Sequence, residues 1–412
     1  MDAPAATPRR LTRSLRGSGT AYMIVGTFVA AVAAYLFQLV VGRSLGPTAF
    51  APVTVLWTIQ FLVFTTVFVP VEQLTIRRLS AREPAGATWR LFAAVIVSSV
   101  ILATAFGAAT RHRLLAGQWI YLGVLGILIA AYGGFALGRG VLAGRRRFRE
   151  YGLSTLAESM LRLALAILVL ALGAGAVGVA WTMVAGPFVV YLWRPFSTEI
   201  VGNEALASRG TAQALATYVG ANAASQTIVA AGPLVVGALG ASPAEISVFF
   251  ETFLLFRAPL TLAYGLIARV LPPFTALAEL GERSTLRRWA ARLAALGAGA
   301  AAAAYVFGRL AGPAAVALLL GAEYRPSATV AGYAAAGVAI ATVALFAQQL
   351  LIAQKATGVL AASWFAGLAA SAAVVGLASG PAGARVGAGF LVGEAMAFGL
   401  IALSVAWVSR RA

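Results

Sequence analysis

Apolar stretches long enough to cross a bilayer recur along almost the whole chain, and no other feature constrains its fold as strongly. They fall at about 19–42, 49–76, 88–110, 118–142, 152–173 and 176–194, then at about 211–238, 244–271, 289–309, 325–353, 357–378 and 384–408. A crossing needs roughly 20 residues. Lipid offers no partner to an open backbone N–H or C=O, so each stretch is predicted to be a helix. The fold class that follows is an all-α polytopic membrane protein of about twelve transmembrane helices. Composition agrees: 61% of the 412 residues are hydrophobic and 11% charged, against about 45–50% and 25% in soluble domains. Twelve spans use up the length and leave no sizeable extramembrane domain.

The residues that remain exclude most chemistry. The chain has no cysteine and one histidine, His112, so disulfides, thiol catalysis and cysteinyl metal sites are absent. Asp2 is the only aspartate. No cofactor and no metal is expected, and the chain reads as something other than an enzyme. The net charge of +18 would suggest nucleic acid, but the placement of the basic residues explains it otherwise. With an even number of spans both termini share a side. That side collects 23 of the 31 basic residues, among them Arg9, Arg10, Arg13 and Arg16, Arg77, Arg78 and Arg82, the cluster Arg145, Arg146, Arg147 and Arg149, and Arg283, Arg287 and Arg288. The other side receives six: Arg43, Arg111, Arg113, Arg309, Arg325 and Arg385. Positive charge marks the cytoplasmic side, so both termini are expected in the cytoplasm and no nucleic acid as partner. The Arg145–Arg149 cluster reads as a topogenic anchor against anionic headgroups. Ala31-Val32-Ala33 resembles a cleavage site, but the apolar run continues to Val41, too long for a signal peptide. Reporter fusions after Arg147, Arg209 and Arg288 should therefore read cytoplasmic, and fusions near Arg111, Ser242 and Gly321 external. An inversion between adjacent loops would mean a miscounted span.

Splitting the chain near residue 205 gives a basic tail (1–18) and two six-span halves (19–204 and 205–412) that echo one another. Val40-Val41-Gly42 with Leu45-Gly46-Pro47 closes span 1; Val235-Val236-Gly237 with Leu239-Gly240 and Pro243 closes span 7. Leu114-Leu115-Ala116-Gly117 before span 4 echoes Leu319-Leu320-Gly321-Ala322 before span 10. Val141-Leu142-Ala143-Gly144-Arg145 after span 4 echoes Leu351-Ile352-Ala353-Gln354-Lys355 after span 10. An even span count per half predicts two bundles related by a parallel pseudo-two-fold along the membrane normal, with substrate between them.

Gly42-Arg43-Ser44-Leu45-Gly46-Pro47-Thr48-Ala49-Phe50, running into Pro70-Val71-Glu72-Gln73 and Arg77-Arg78-Leu79, resembles the polysaccharide-biosynthesis flippases. These are the O-antigen type lipid-linked oligosaccharide exporters of the multidrug/oligosaccharidyl-lipid/polysaccharide export superfamily. Gly140-Val141-Leu142-Ala143-Gly144-Arg145 with Phe148 and Tyr151-Gly152, and Leu320-Gly321-Ala322-Glu323-Tyr324, are similar to the same family. The resemblance implies two six-helix bundles, alternating access, no ATPase within the chain, and a lipid-linked saccharide as substrate. It implies a functional monomer in the cytoplasmic membrane.

Ionisable residues deep in spans are the candidate site, because each costs at least roughly 2.5–3.5 kcal/mol for a central arginine. Arg162 lies mid-span in span 5 with Glu158 one turn earlier on the same face. Arg257 lies mid-span in span 8, with Glu251 six residues before it and Pro259 two after. Arg257 and Arg162 are the expected contacts to an anionic headgroup, with Glu158 and Glu251 neutralising them when it is absent. Glu72 and Gln73, ending span 2, and Glu394, mid-span in span 12, are candidates for gating or coupling. Gly134 and Gly138, Gly383 and Gly387, and Gly389 and Gly393 form small-xxx-small pairs, expected at close helix contacts. Gly138-Arg139-Gly140-Val141-Leu142-Ala143 matches G-x-G-x-x-A in letters, but no strand precedes it.

Three functions compete. A flippase of polyprenyl-(pyro)phosphate-linked saccharide leads, since intramembrane arginine suits an anionic headgroup. A drug/cation antiporter of the same superfamily would show a carboxylate-rich cavity, yet no span holds aspartate. A membrane glycosyltransferase or polysaccharide polymerase needs acids in its outer loops, where Glu323 is the one clear case.

Overall fold

The structure, a computed structural model, describes residues 18–80, 86–196, 208–264 and 267–411. Among the described residues every regular element is helical. The basic tail carrying Arg9 to Arg16, Arg82 and the division near residue 205 lie outside them.

Among the described residues nine stretches are long and apolar enough to cross a membrane, which makes the chain a multi-pass membrane protein. The first of them, Val25–Ser80, holds two of the expected spans. Its helix Ser18–Val63 is interrupted at Gly46, whose φ of 72° and ψ of 163° fall outside helical space. Only glycine takes that conformation cheaply, and Pro47 then starts the next segment. Spans 7 and 8 are not among the nine: the long piece of span 7 carries Gln213, Asn222, Ser225 and Gln226 and is too polar, and span 8 is divided into short helices. Span 7 runs as Ser208–Ala230 and Gly232–Ala238, with Pro233 in the first turn of the second piece. Span 8 runs as Pro243–Phe256, Ala258–Tyr264 and Ile267–Glu279. Counting the double stretch and the two broken spans gives the expected twelve.

The prolines account for the irregularities. Pro70 has no N–H to return to the preceding turn, and the chain widens into a π-helical turn at Phe64–Phe68 just before it. In span 8, Pro259 cannot close onto residue 255. The first helix ends at Phe256, Arg257 donates its N–H to Phe253 and Leu254 O at 3.1 Å, and a new helix begins at Ala258. Span 8 therefore breaks there, with the candidate arginine at the break.

The sequence echoes correspond to matching turns. After span 4 the N–H groups of Arg145, Arg146 and Arg147 bond to Val141, Ala143 and Leu142 O; after span 10 those of Gln354, Lys355 and Ala356 bond to Leu350, Ile352 and Leu351 O. Arg146 and Lys355 take the left-handed conformation, at φ 61° and 59°, as this helix-ending motif requires. Gly46 and Gly240, and Gly117 and Gly321, likewise have positive φ in pairs.

Two compact units contain the chain: 1–41, 67–105 and 122–216 form one, and 42–66, 106–121 and 217–412 the other. In the first unit, Gly26 lies so close to span 5 that a Cβ there would be 2.7 Å from Gly152 O. In the second, spans 9 and 10 meet through Gly308 and Gly312 against Ala331 and Ala335, and spans 11 and 12 through Gly367 against Gly393. Small residues permit this approach where lipid gives no hydrophobic drive between helices. Gly389 and Gly393, expected at such contacts, face Ser371 on span 11, and Gly134 and Gly138 face Tyr191 and Val190 on span 6. Gly383 and Gly387 have looser neighbours, a Cβ at Gly387 meeting Tyr333 at 3.3 Å.

Candidate functional site

Three groups of polar side chains sit inside the two units. In the first unit, Glu158 and Arg162 pair across one helical turn at 2.6 Å, with both residues buried. Tyr132 on span 4 donates to Glu158 Oε1 at 2.6 Å and accepts from Arg162 Nη1 at 2.6 Å. Ser159 donates to Glu158 Oε2 at 2.9 Å, and the guanidinium lies 5.4 Å from the centre of the Phe37 ring. Gly186 brings span 6 onto the same carboxylate, since a Cβ there would be 3.1 Å from Oε1. The expected pair therefore forms, and its charges are satisfied within the first unit.

The second group, also in the first unit, joins spans 2, 4 and 5. Glu72 is buried and pairs with Arg139 at 3.2 Å. Tyr151 donates to Glu72 Oε1 at 2.8 Å, and Arg139 donates to the Tyr151 hydroxyl. Gly140 allows the approach, because a Cβ there would press 2.8 Å from Thr75. The glycines of the G-x-G-x-x-A string thus serve helix contact. Gln73, next to Glu72, is exposed and turns away from this group.

The third group lies in the second unit. Glu394 is fully buried, and neither carboxylate oxygen has a hydrogen-bond partner. It lines a cavity of about 340 Å³ together with Asn222, Ser225, Gln226, Gln348 and Trp364. Arg257 stands beside this cavity: its Nη2 donates to the carbonyl of Val229, a wall residue. Its charge acts on Glu394. Glu251, the acid nearest to Arg257 in sequence among those proposed to neutralise it, is buried, with Oε1 unpartnered and its charge acting on Tyr324. Of the candidates the sequence pointed to, Glu394 lines this cavity, whereas Arg257 and Glu251 are not among its lining residues, and the other wall residues were missed. One signal was available. Asn222, Ser225 and Gln226 stand at i, i+3 and i+4, one face of the helix Ser208–Ala230.

The motif segments also meet within the units. Tyr324, buried in the loop before span 10, donates to Gly42 O at 2.9 Å, and Arg43 donates to Leu319 O at 3.2 Å. Burial raises the Tyr324 hydroxyl well above its ordinary pKa, and Glu251 and Glu323 add to this, so it remains a donor. Of the basic cluster, Arg146 and Arg149 are exposed. Arg145 and Arg147 donate to the carbonyls of Pro195 and Trp193 at 3.4 and 3.0 Å, closing the end of span 6 as basic residues commonly do. In the outer loop, Arg111 contacts His112 at 2.6 Å and lies over Trp119 at 3.7 Å.

No protein-family model matches the chain. Two uncharacterized proteins of Mycobacterium tuberculosis, from strains CDC 1551 and H37Rv, are each 28% identical to it over 144 residues. The match takes in 35% of this chain and 32% of theirs, so the chain spans about a third of the length of the curated relatives it matches. Solved structures match it along nearly all its length. An inward-facing multidrug resistance MATE family transporter of the MOP superfamily aligns with a TM-score of 0.67 at 15% identity, over 93% of this chain and 96% of that one. The lipid II flippase MurJ, in an inward closed conformation, aligns at 0.63 and 12% identity, over 94% and 90%. A MOP superfamily transporter from Pyrococcus furiosus aligns at 0.59 and 15%, over 95% and 94%. The chain has their fold. It is the twelve-helix, two-bundle class expected from the sequence, and at these identities the likeness extends to fold alone.

Proposed function

We propose that the protein is a membrane carrier that moves a polyprenyl-(pyro)phosphate-linked saccharide from the inner to the outer leaflet of the cytoplasmic membrane. The observation that carries this reading is Arg257, a guanidinium held at a proline break inside span 8, which bonds the wall of a largely apolar cavity that also presents Asn222, Gln226, Gln348 and Glu394. A guanidinium presents a rigid fork of donors that matches phosphate oxygens bidentately. Held inside a membrane, it favours an anionic headgroup and repels a cation. The lipid tail stays in the bilayer while the headgroup moves inside the protein by alternating access. Arg162, closed on Glu158 in this structure, engages the headgroup only in a state where that pair opens. Glu72 with Arg139 and Tyr151 ties the ends of spans 2, 4 and 5 and is suited to gating. Both termini lie in the cytoplasm, the carrier works as a monomer, and Arg146 and Arg149 contact anionic lipid.

The test is translocation of a fluorescently labelled lipid-linked sugar in proteoliposomes. Arg257→Ala should lower the rate to background with the protein still inserted. Arg257→Lys should restore part of it, because a point charge cannot reproduce the fork. Near-normal flipping by Arg257→Ala would reduce that arginine to a structural role. The unpartnered Glu394 carboxylate favours a second reading, a cation antiporter. Electrogenic or pH-driven efflux of ethidium, with no lipid flipping, would establish it instead.

A further inference from the structure

We infer that the cavity around Glu394 is a binding site for a single sugar ring. The inference rests on the flippase reading for the source of that sugar and on the cavity's own chemistry for the rest. Its volume of about 340 Å³ is at the lower end of the roughly 300–1,000 Å³ of small-molecule sites, enough for one pyranose. A buried carboxylate with two unpartnered oxygens is costly, and the Glu394 carboxylate is held in that condition by four neighbouring spans. Spans 7, 8, 10 and 11 supply the other walls. Two adjacent hydroxyl groups of a sugar would donate to its two oxygens together. Asn222, Gln226 and Gln348 each offer a carbonyl acceptor and two N–H donors, which matches hydroxyls that both donate and accept. Trp364, 6% exposed, supplies the apolar face against which the C–H side of a pyranose packs. Its position relative to Glu394 is fixed by the contact of Gly367 with Gly393, one turn beyond Trp364 and one residue before Glu394.

A metal cation fits less well. Hard cations gather several charged or carbonyl oxygens, and among the described residues no three acidic or histidine side chains cluster. An organic cation would face Arg257, whose charge already acts on Glu394. The same arginine orients the ligand. Its Nη2 donates to the carbonyl of the wall residue Val229, so a phosphate on Arg257 would leave the first sugar of a lipid-linked saccharide on the cavity side, toward Glu394 and Trp364.

The experiment uses the purified full chain in detergent and saturation-transfer NMR with four probes: the methyl α-glycosides of glucose, galactose and mannose, and N-acetylglucosamine. At least one should give a signal with the wild-type protein. Trp364→Ala and Glu394→Gln should each weaken that signal about tenfold, the order expected when an aromatic face is lost, while Trp364→Phe retains most of it. Binding of undecaprenyl pyrophosphate, measured in parallel, should be unchanged in Trp364→Ala. Elution as a single species confirms that each variant is folded. Silence from all four sugars in the wild type would overturn the inference. So would tetraphenylphosphonium binding that is lost in Glu394→Gln and that no sugar displaces, which would make the cavity a cation site. If the sugars bind and undecaprenyl pyrophosphate does not, the sugar site stands and the flippase reading falls.

Discussion

Arg162→Ala should leave little folded protein in the membrane. Arg162 and Glu158 are 3% and 5% exposed, and the arginine supplies the charge that makes burial of the carboxylate tolerable. Without it, Glu158 keeps only the hydroxyls of Tyr132 and Ser159. Breaking a buried pair from one side costs about 3–5 kcal/mol, because the remaining charge is unpaired, whereas replacing both partners by groups of similar volume is often neutral. The double variant Glu158→Gln/Arg162→Met should therefore recover much of what Arg162→Ala loses. Thermal stability of the solubilised protein, followed by size-exclusion chromatography, measures both. A single variant as stable as the wild type would mean that the pair contributes nothing to folding. If it were also unable to flip lipid, the arginine would belong to the headgroup site alone.

Gly367→Leu should be almost as damaging, for a steric reason. A Cβ at Gly367 would lie 2.6 Å from Gly393 O and 2.8 Å from the Ala397 Cβ. The first of these neighbours is backbone and cannot rotate aside, so spans 11 and 12 must separate. Overpacking typically costs about 1–3 kcal/mol and more where the surroundings cannot yield, and here the upper end applies. The separation would also open the sugar cavity, because Trp364 and Glu394 lie beside the contact. Gly376→Leu on the same helix is the control. A Cβ there meets nothing within 4 Å, and the variant should express and elute like the wild type. Equal behaviour of the two variants would show that the close approach of spans 11 and 12 is not required.

The exposed arginines behave differently from these buried groups. Arg146 and Arg149 face outward, and their effect on anionic lipid should be screened by salt within a Debye length. Arg145 and Arg147, adjacent to them in sequence, are held by carbonyls at the end of span 6. One cluster in the sequence thus serves two purposes, and the difference follows from the turn at Arg146, whose left-handed backbone sends alternate side chains to different surroundings.

The sequence alone determined the helices, their number and the ends of many of them, because in lipid every backbone group must find its partner within its own segment. A span is therefore a local property, and the departures beside Pro70 and Pro259 have equally local causes, whereas the break before Pro233 fell within a stretch read as one uninterrupted span, 211–238. The pair Glu158–Arg162 was legible for the same reason, since one helical turn places both groups on one face. What pairs across helices was not. Nothing in the order of residues said that Glu72 would meet Arg139 and Tyr151, or that Tyr132 would close the Glu158 pair. Nor did it say that Arg257 would bond Val229 and act on Glu394 rather than on Glu251. Those contacts depend on how closely the helices approach, which glycines such as Gly140, Gly186 and Gly367 control through the volume they omit. A long side chain carries its charge several ångströms from its own helix. The tertiary packing, not the sequence spacing, then decides which other charge it reaches.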